Sequence, residues 1–258
     1  MSIALQVALV MVTILVVLLV IGAPIGVAIG MSSAVSMICM IPADVSFATS
    51  AQRIFAGSNS FSLIAIPFFI LAGNIMNNGG IATRLVNCAK VISGRMPGAL
   101  AQSNVVANML FGAISGSGAA AAAAMGGTIG PLEEKEGYDK NYSTAVNVAS
   151  APVGMLIPPS NTMIVYSSVA GSVSIAALFM AGYIPGLLWG GAVMILAGIM
   201  AKKRGYQAEQ RVPVKVALKT FWQAIPSLLL IVIVIGGILG GIFTATEGSA
   251  IAVVYATV

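Results

Sequence analysis

The chain has 258 residues, 59% of them hydrophobic and 7% charged, with a mean hydropathy of +1.02. Soluble domains carry about a quarter charged residues, so this composition excludes a soluble globular enzyme or binding module and requires a polytopic membrane protein. Histidine is absent and the two cysteines, Cys39 and Cys88, are far apart, which excludes a disulfide framework and a zinc site; the net charge of +5 sits in short loops, where membrane topology explains it without nucleic acid.

Charge is missing altogether from 1–43, 54–83, 96–132, 141–201 and 220–246. About 20 helical residues cross a hydrocarbon core of about 30 Å. Spans are therefore expected at 3–21, 24–41, 60–77, 143–170, 174–200 and 222–242, with another starting near 248. The first of these resembles a signal peptide but has no basic n-region, so it is read as a retained span. Segments 44–58 and 80–94 carry scattered charge on an apolar background and are expected to be interfacial helices. The stretch 202–219 reads as a polar loop in which Pro213 opens a short helix.

Topology turns on 96–132. If this segment enters the membrane and returns, then Arg84, Lys90, Arg95, Lys135, Lys140, Lys202, Lys203, Arg204, Arg211, Lys215 and Lys219 share one side, 11 residues, against Arg53 alone. A single crossing divides the same residues 9 to 3. The positive-inside rule favours the return. The expected structure is a re-entrant helical hairpin, 98–115 and 118–132, entering from the cytoplasm, with the N-terminus periplasmic.

The hairpin tip is SGSG, Ser115 to Gly118. Non-helical backbone at membrane depth is tolerated where protein buries it or where it lines a wet cavity. Ser115 and Ser117 offer hydroxyls, and Gly116 and Gly118 bring bare backbone close to a guest. Alanines 119–124 give a smooth face; small-residue helix packing without a ligand accounts for the stretch equally well. A second break is LIPPSNT, 156–162. Pro158 and Pro159 cannot sit inside a regular helix. Ser160, Asn161 and Thr162 then open a half-helix whose N–H groups favour an anion, while the carbonyls freed by the prolines favour a cation. A proline kink patched by Ser and Thr is the blander reading. Two broken segments near the midplane point to a transporter's binding site. The available ligands are hard oxygens, which suits Na⁺ with Ser115, Ser117, Ser160 and Asn161 as candidates. Glu247 is read as a helix-start carboxylate, the 14 methionines as packing, and Trp189 and Trp222 as packing or interface residues. A serine hydrolase at the tip is disfavoured, because no base stands near Ser115 or Ser117.

Five segments carry a family resemblance: SFSLIAIPFFILAGNIMNNGGIATRLV (60–86), NVVANMLFGAISGSG (104–118), LIPPSNTMIVY (156–166), LFMAGYIPGLLWG (178–190) and GGIFTATEGSAIAVVYA (240–256). Together they resemble the large membrane subunit of TRAP transporters (tripartite ATP-independent periplasmic transporters, DctM-like), nearly end to end. The resemblance implies an all-α, inverted-repeat elevator in the bacterial inner membrane. It also implies Na⁺-coupled uptake of an organic acid anion, with no cofactor and no enzymatic activity. The implied partners are a small four-helix membrane subunit and a periplasmic solute-binding protein.

On that plan 1–95 holds scaffold-type spans and interfacial helices, 96–171 the transport-type hairpin and broken helix, and 172–258 the following spans. Several relatives carry Asp or Thr three residues after the glycine at 118, where this chain has Ala121, so that side-chain contact is not carried over. Family large subunits are much longer; the chain is expected to be a fragment with the first repeat and the start of the second, supplying half of the binding site. A divalent-anion/Na⁺ symporter without a binding protein shares the Ser-Asn-Thr motif and is the alternative, followed by a structural membrane subunit with no site.

Overall fold

The computed structural model describes residues 3–171, 173–208 and 213–257, with the side chains of 77, 78, 81 and 82 left aside. Arg211, counted above among the loop cations, lies outside the described residues. The chain forms two compact units, Met1–Ser60 and Phe61–Val258. Among the described residues every regular element is helical.

The first unit holds α1 (Ile3–Val20), α2 (Ile25–Ile38) and α3 (Ala43–Ser58). No residue of α1 is buried; Leu5, Leu9, Val12, Val16, Val17 and Leu19 are exposed, an apolar face that suits a bilayer. The α2 helix is shorter than the expected 24–41. It starts after Pro24, and the chain turns at 39–41 before Pro42 opens α3. Two helix-opening prolines so close together leave room for only 14 helical residues. Buried Ser46 of α3 donates its hydroxyl to the Ala34 carbonyl at 2.7 Å, fixing α3 on α2.

The second unit begins with a 3₁₀ turn, Phe61–Ile64, leading into α4 (Ala65–Asn78) and α5 (Ile81–Ser93). It was expected that α5 would lie in the membrane interface. Its apolar stripe, Leu85, Val86 and Ala89, is buried in the protein core, and the helix packs on α6 (Ala99–Ser115) and on α13 (Val214–Leu239). Amphipathicity shows only that one face is covered, and here protein covers it.

After α6 come α7 (Gly118–Thr128), α8 (Gly130–Lys135), α9 (Lys140–Ser150), α10 (Val153–Leu156), α11 (Asn161–Ala170) and α12 (Ile175–Lys203); α14 (Ala245–Thr257) follows α13. Among the described residues three helices are long and apolar enough to cross a membrane alone: α1, α12 and α13. The segment Lys140–Leu156 with Asn161–Ala170 is long and apolar enough for a further span when the two helices, bent by 48° at the break, are taken together. Lys202 and Lys203 belong to α12, and Pro213 caps a continuous 26-residue α13. The expected polar loop with a separate short helix is therefore much shorter, because α13 runs on from Pro213 with Pro226 accommodated inside it.

The hairpin returns as expected. Asn104, near the start of α6, and Glu133, beyond the end of α7, line one cavity, so the two arms run antiparallel. The loops around 98, 139 and 206 also meet at one end. Gly98 N–H donates to the Tyr206 carbonyl at 3.3 Å, Asp139 N–H donates to the Tyr206 hydroxyl at 2.8 Å, and Arg204 pairs with Asp139 at 3.1 Å. The Tyr142 N–H and then Arg204 hold the exposed Asp139 carboxyl below the usual carboxylate range. Tyr206 stacks on Tyr138 with ring centroids 4.2 Å apart.

Candidate functional site

The hairpin arms are clamped by amides. Asn108 Nδ2 donates to Asn104 Oδ1 (2.9 Å), Asn147 Oδ1 (3.0 Å) and Ser150 Oγ (2.7 Å), joining α6 to α9. Asn147 Nδ2 donates to the Ala122 carbonyl of α7 at 2.9 Å. All four side chains are buried; the Asn108 Nδ2 bonds hold α6 on α9, while Asn108 Oδ1 itself has no partner. Where α6 crosses α10, Gly112 and Gly154 meet backbone to backbone; a Cβ on either would collide with the other's Cα.

This crossing brings the hairpin tip against the broken helix. Ser115 ends α6, and Gly116 turns the chain at φ +61°, a left-handed conformation that glycine adopts without strain. Ser117 is extended and caps α7, its Oγ accepting from Ala120 N–H at 3.3 Å. The second break is built alike. Leu156 ends α10, the Pro158–Pro159 peptide is cis, and extended Ser160 caps α11 by accepting from Met163 N–H at 3.4 Å. Asn161 then reaches across. Its N–H donates to the Gly116 carbonyl at 3.4 Å, and its Nδ2 donates to the Ser115 carbonyl at 3.3 Å.

Ser115, Gly116, Ser117, Asn161 and Thr162 line one cavity of about 640 Å³. The other named candidates do not line it. Gly118 packs on the Ala151 carbonyl, and Pro159 lines a narrow apolar crevice with Leu230 and Val234. Pro158 is buried, and Ser160 is wholly buried with its hydroxyl donated to the Met155 carbonyl. Among the wall residues missed in the sequence reading are Gly73 and Asn74 of α4. A Cβ at Gly73 would touch Ser115. Nothing local to IPFFILAGNIM marks these two, since only tertiary packing brings α4 to the tip. Ala121 is wholly buried and does not line the cavity.

The donors that face the cavity are neutral oxygens and amides. Asn161 Oδ1 is buried and receives no hydrogen bond. An orphan amide oxygen on a residue that shares the cavity wall with two serines is the kind of ligand set, carbonyl and hydroxyl oxygens, that suits a hard monovalent cation. Among the described residues no cluster of His, Cys, Asp or Glu could hold a metal ion. Glu247 sits at the start of α14, as read: it accepts from Thr244 N–H and Oγ1 at 2.8 and 2.9 Å, while the Thr244 hydroxyl accepts from Glu247 N–H at 3.3 Å. This is a reciprocal helix cap.

The family model described as "Tripartite ATP-independent periplasmic transporter, DctM component" matches residues 12–258. The chain is 54% identical over 224 residues to the uncharacterized protein YgiK of Salmonella typhimurium, covering 87% of this chain and 52% of that one. It is 38% identical to the C4-dicarboxylate TRAP transporter large permease protein DctM of Rhodobacter capsulatus, covering 81% and 50%. It is 40% identical to the sialic acid TRAP transporter large permease protein SiaM of Vibrio cholerae, covering 80% and 48%. The chain thus spans about half the length of these relatives. A helical membrane architecture, a re-entrant hairpin meeting a broken helix and a match over 12–258 lead to one assignment: the chain belongs to the DctM component family of the tripartite ATP-independent periplasmic transporters.

Proposed function

We propose that this chain is the N-terminal part of a large permease subunit that takes up an organic acid anion across the inner membrane, coupled to Na⁺. The observation that carries this reading is the cavity where Asn161, whose Oδ1 is unpartnered, bridges to the hairpin tip and shares the wall with Ser115 and Ser117. Ser115, Ser117 and Asn161 would hold the ion, and Ser160 orients Asn161 by capping α11. The N-termini of α7 and α11 would favour the anion's carboxylate, since the described residues place no arginine or lysine in the cavity wall. The hairpin and the broken helix would move together past a scaffold, as an elevator. The names of the relatives support an organic acid: C4-dicarboxylate for one and sialic acid for another. The partners are a small membrane subunit and a periplasmic binding protein that delivers the anion.

The test is uptake of a labelled C4-dicarboxylate or sialic acid by vesicles holding the complete permease, its small subunit and its binding protein. Replacing Na⁺ with choline should abolish uptake. Unchanged uptake in choline defeats the coupling, and uptake that needs no binding protein favours the symporter alternative.

A further inference from the structure

The hairpin has a second polar pocket at its other end. A cavity of about 340 Å³ lies between the hairpin base and α9, walled by Asn104, Glu133, Ser143 and Asn147. Exposed Glu134, Lys140 and Thr144 form its rim on the loop side. Glu133 follows the second arm in α8, in the loop region beyond the membrane-spanning helices. Its side chain is only 1% exposed, and neither carboxylate oxygen receives a hydrogen bond. The Ser143 hydroxyl is also buried without a partner. Ser143 and Asn104 are close enough to ease the carboxylate slightly, yet neither closes a well-formed bond onto it.

A buried carboxylate without donors is costly, and it is relieved by a cation or by a proton. The charged and titratable groups around it supply no cation at its oxygens. The packed helices α6 and α7 carry none. From α9 come Lys140, exposed on the rim, and Tyr142. The joining turn brings exposed Glu134, Lys135 and Glu136, then Tyr138 and Asp139, the last paired with Arg204 of α12. Asn104 Oδ1 and Asn147 Oδ1 already accept from Asn108, so few oxygens are left free to surround a metal ion.

We propose that Glu133 is a proton-binding site, taking up one proton from the loop-side solution into the pocket between the hairpin base and α9. Once protonated, the carboxyl has a proton to donate, and the unpartnered Ser143 hydroxyl is placed to accept it. The proposal stands apart from the cavity at the tip. Burial pushes the Glu133 carboxyl up to about 7, so this site titrates in the range where cells hold their interior. The folded protein then binds the proton more tightly than the unfolded chain. This contribution to stability is complete below the carboxyl's ordinary value of 4.5 and is lost as the pH rises through about 7.

The experiment is infrared difference titration of the purified protein in nanodiscs, from about pH 5 to about pH 9, following the protonated-carboxyl stretch. The expected result is a band that disappears near neutrality, is missing in Glu133→Gln, and is unmoved when Na⁺ is replaced by choline. Thermal unfolding of the same samples should fall between about pH 5 and about pH 8 in wild type, and that fall should be smaller in Glu133→Gln. Glu133→Gln keeps the shape of the protonated carboxyl and so should fold. A band that persists in the variant, no band titrating near neutrality, or a midpoint that shifts with Na⁺ overturns the proposal; the last would make the ligand a metal cation.

Discussion

At the hairpin tip the chain turns through Gly116, in the left-handed region at φ +61°. At the second break it passes through Pro158 and Pro159, which have no N–H to give a helix. Both breaks then resume in the same way, with an extended serine accepting a hydrogen bond from the N–H three residues on. The residues are opposite because the demands are opposite. The tip must accept Asn161 against its backbone, which a side chain at 116 would block. The second break must stay open although apolar helix lies on both sides of it, and proline enforces that. Glycine there permits a contact; proline prevents one.

Substitutions can break this comparison, the largest effect first. Gly112→Leu places a branched side chain into the Gly154 backbone at the crossing that holds the two breaks together. Overpacking without room to relax should cost about 3 kcal/mol or more. Thermal unfolding in detergent should show little folded protein, and a near-wild-type midpoint would mean that the crossing can slide apart. Gly116→Val should cost about 2 kcal/mol, from the left-handed conformation together with contact on Asn161. Gly116→Ala should fall between Val and wild type; equal melting of all three would show that the tip is not held as described.

The serines sharpen the comparison. Ser160 is fully buried and bonded on both sides, whereas Ser117 is half-buried with one cap bond beside its backbone contacts to Ser115. Ser160→Ala should therefore cost about 2 kcal/mol and Ser117→Ala about 0.5 to 1 kcal/mol, the range for lost N-caps. The reverse order in chemical unfolding would mean that burial does not separate the two caps.

The breaks were legible in the sequence because each is written in a few consecutive residues: glycines between serines, or two prolines before Ser-Asn-Thr. The hairpin's return was legible from loop charge, and the meeting of Gly98, Asp139 and Tyr206 at one end agrees with it. What was not legible is non-local. Gly73 and Asn74 join the cavity only through packing of α4. Glu133 stands among Glu134, Lys135 and Glu136 and reads as solvated loop; only the fold turns it inward while its neighbours stay exposed. That protein covers the apolar stripe of α5 was not legible for a related reason, since such a stripe does not say whether lipid or protein covers it.

Tyr206 touches both roots of the hairpin: its carbonyl takes the N–H of Gly98, just before the first arm, and its hydroxyl takes the N–H of Asp139, just after the second. Mechanically, the hairpin is a fork whose two prongs share one bracket at the end of α12. A pull on that bracket shifts both prongs equally and leaves the spacing between them unchanged. A force along α12 therefore reaches both prongs through one residue, while their far end is held separately, where Gly116 leans on Asn161.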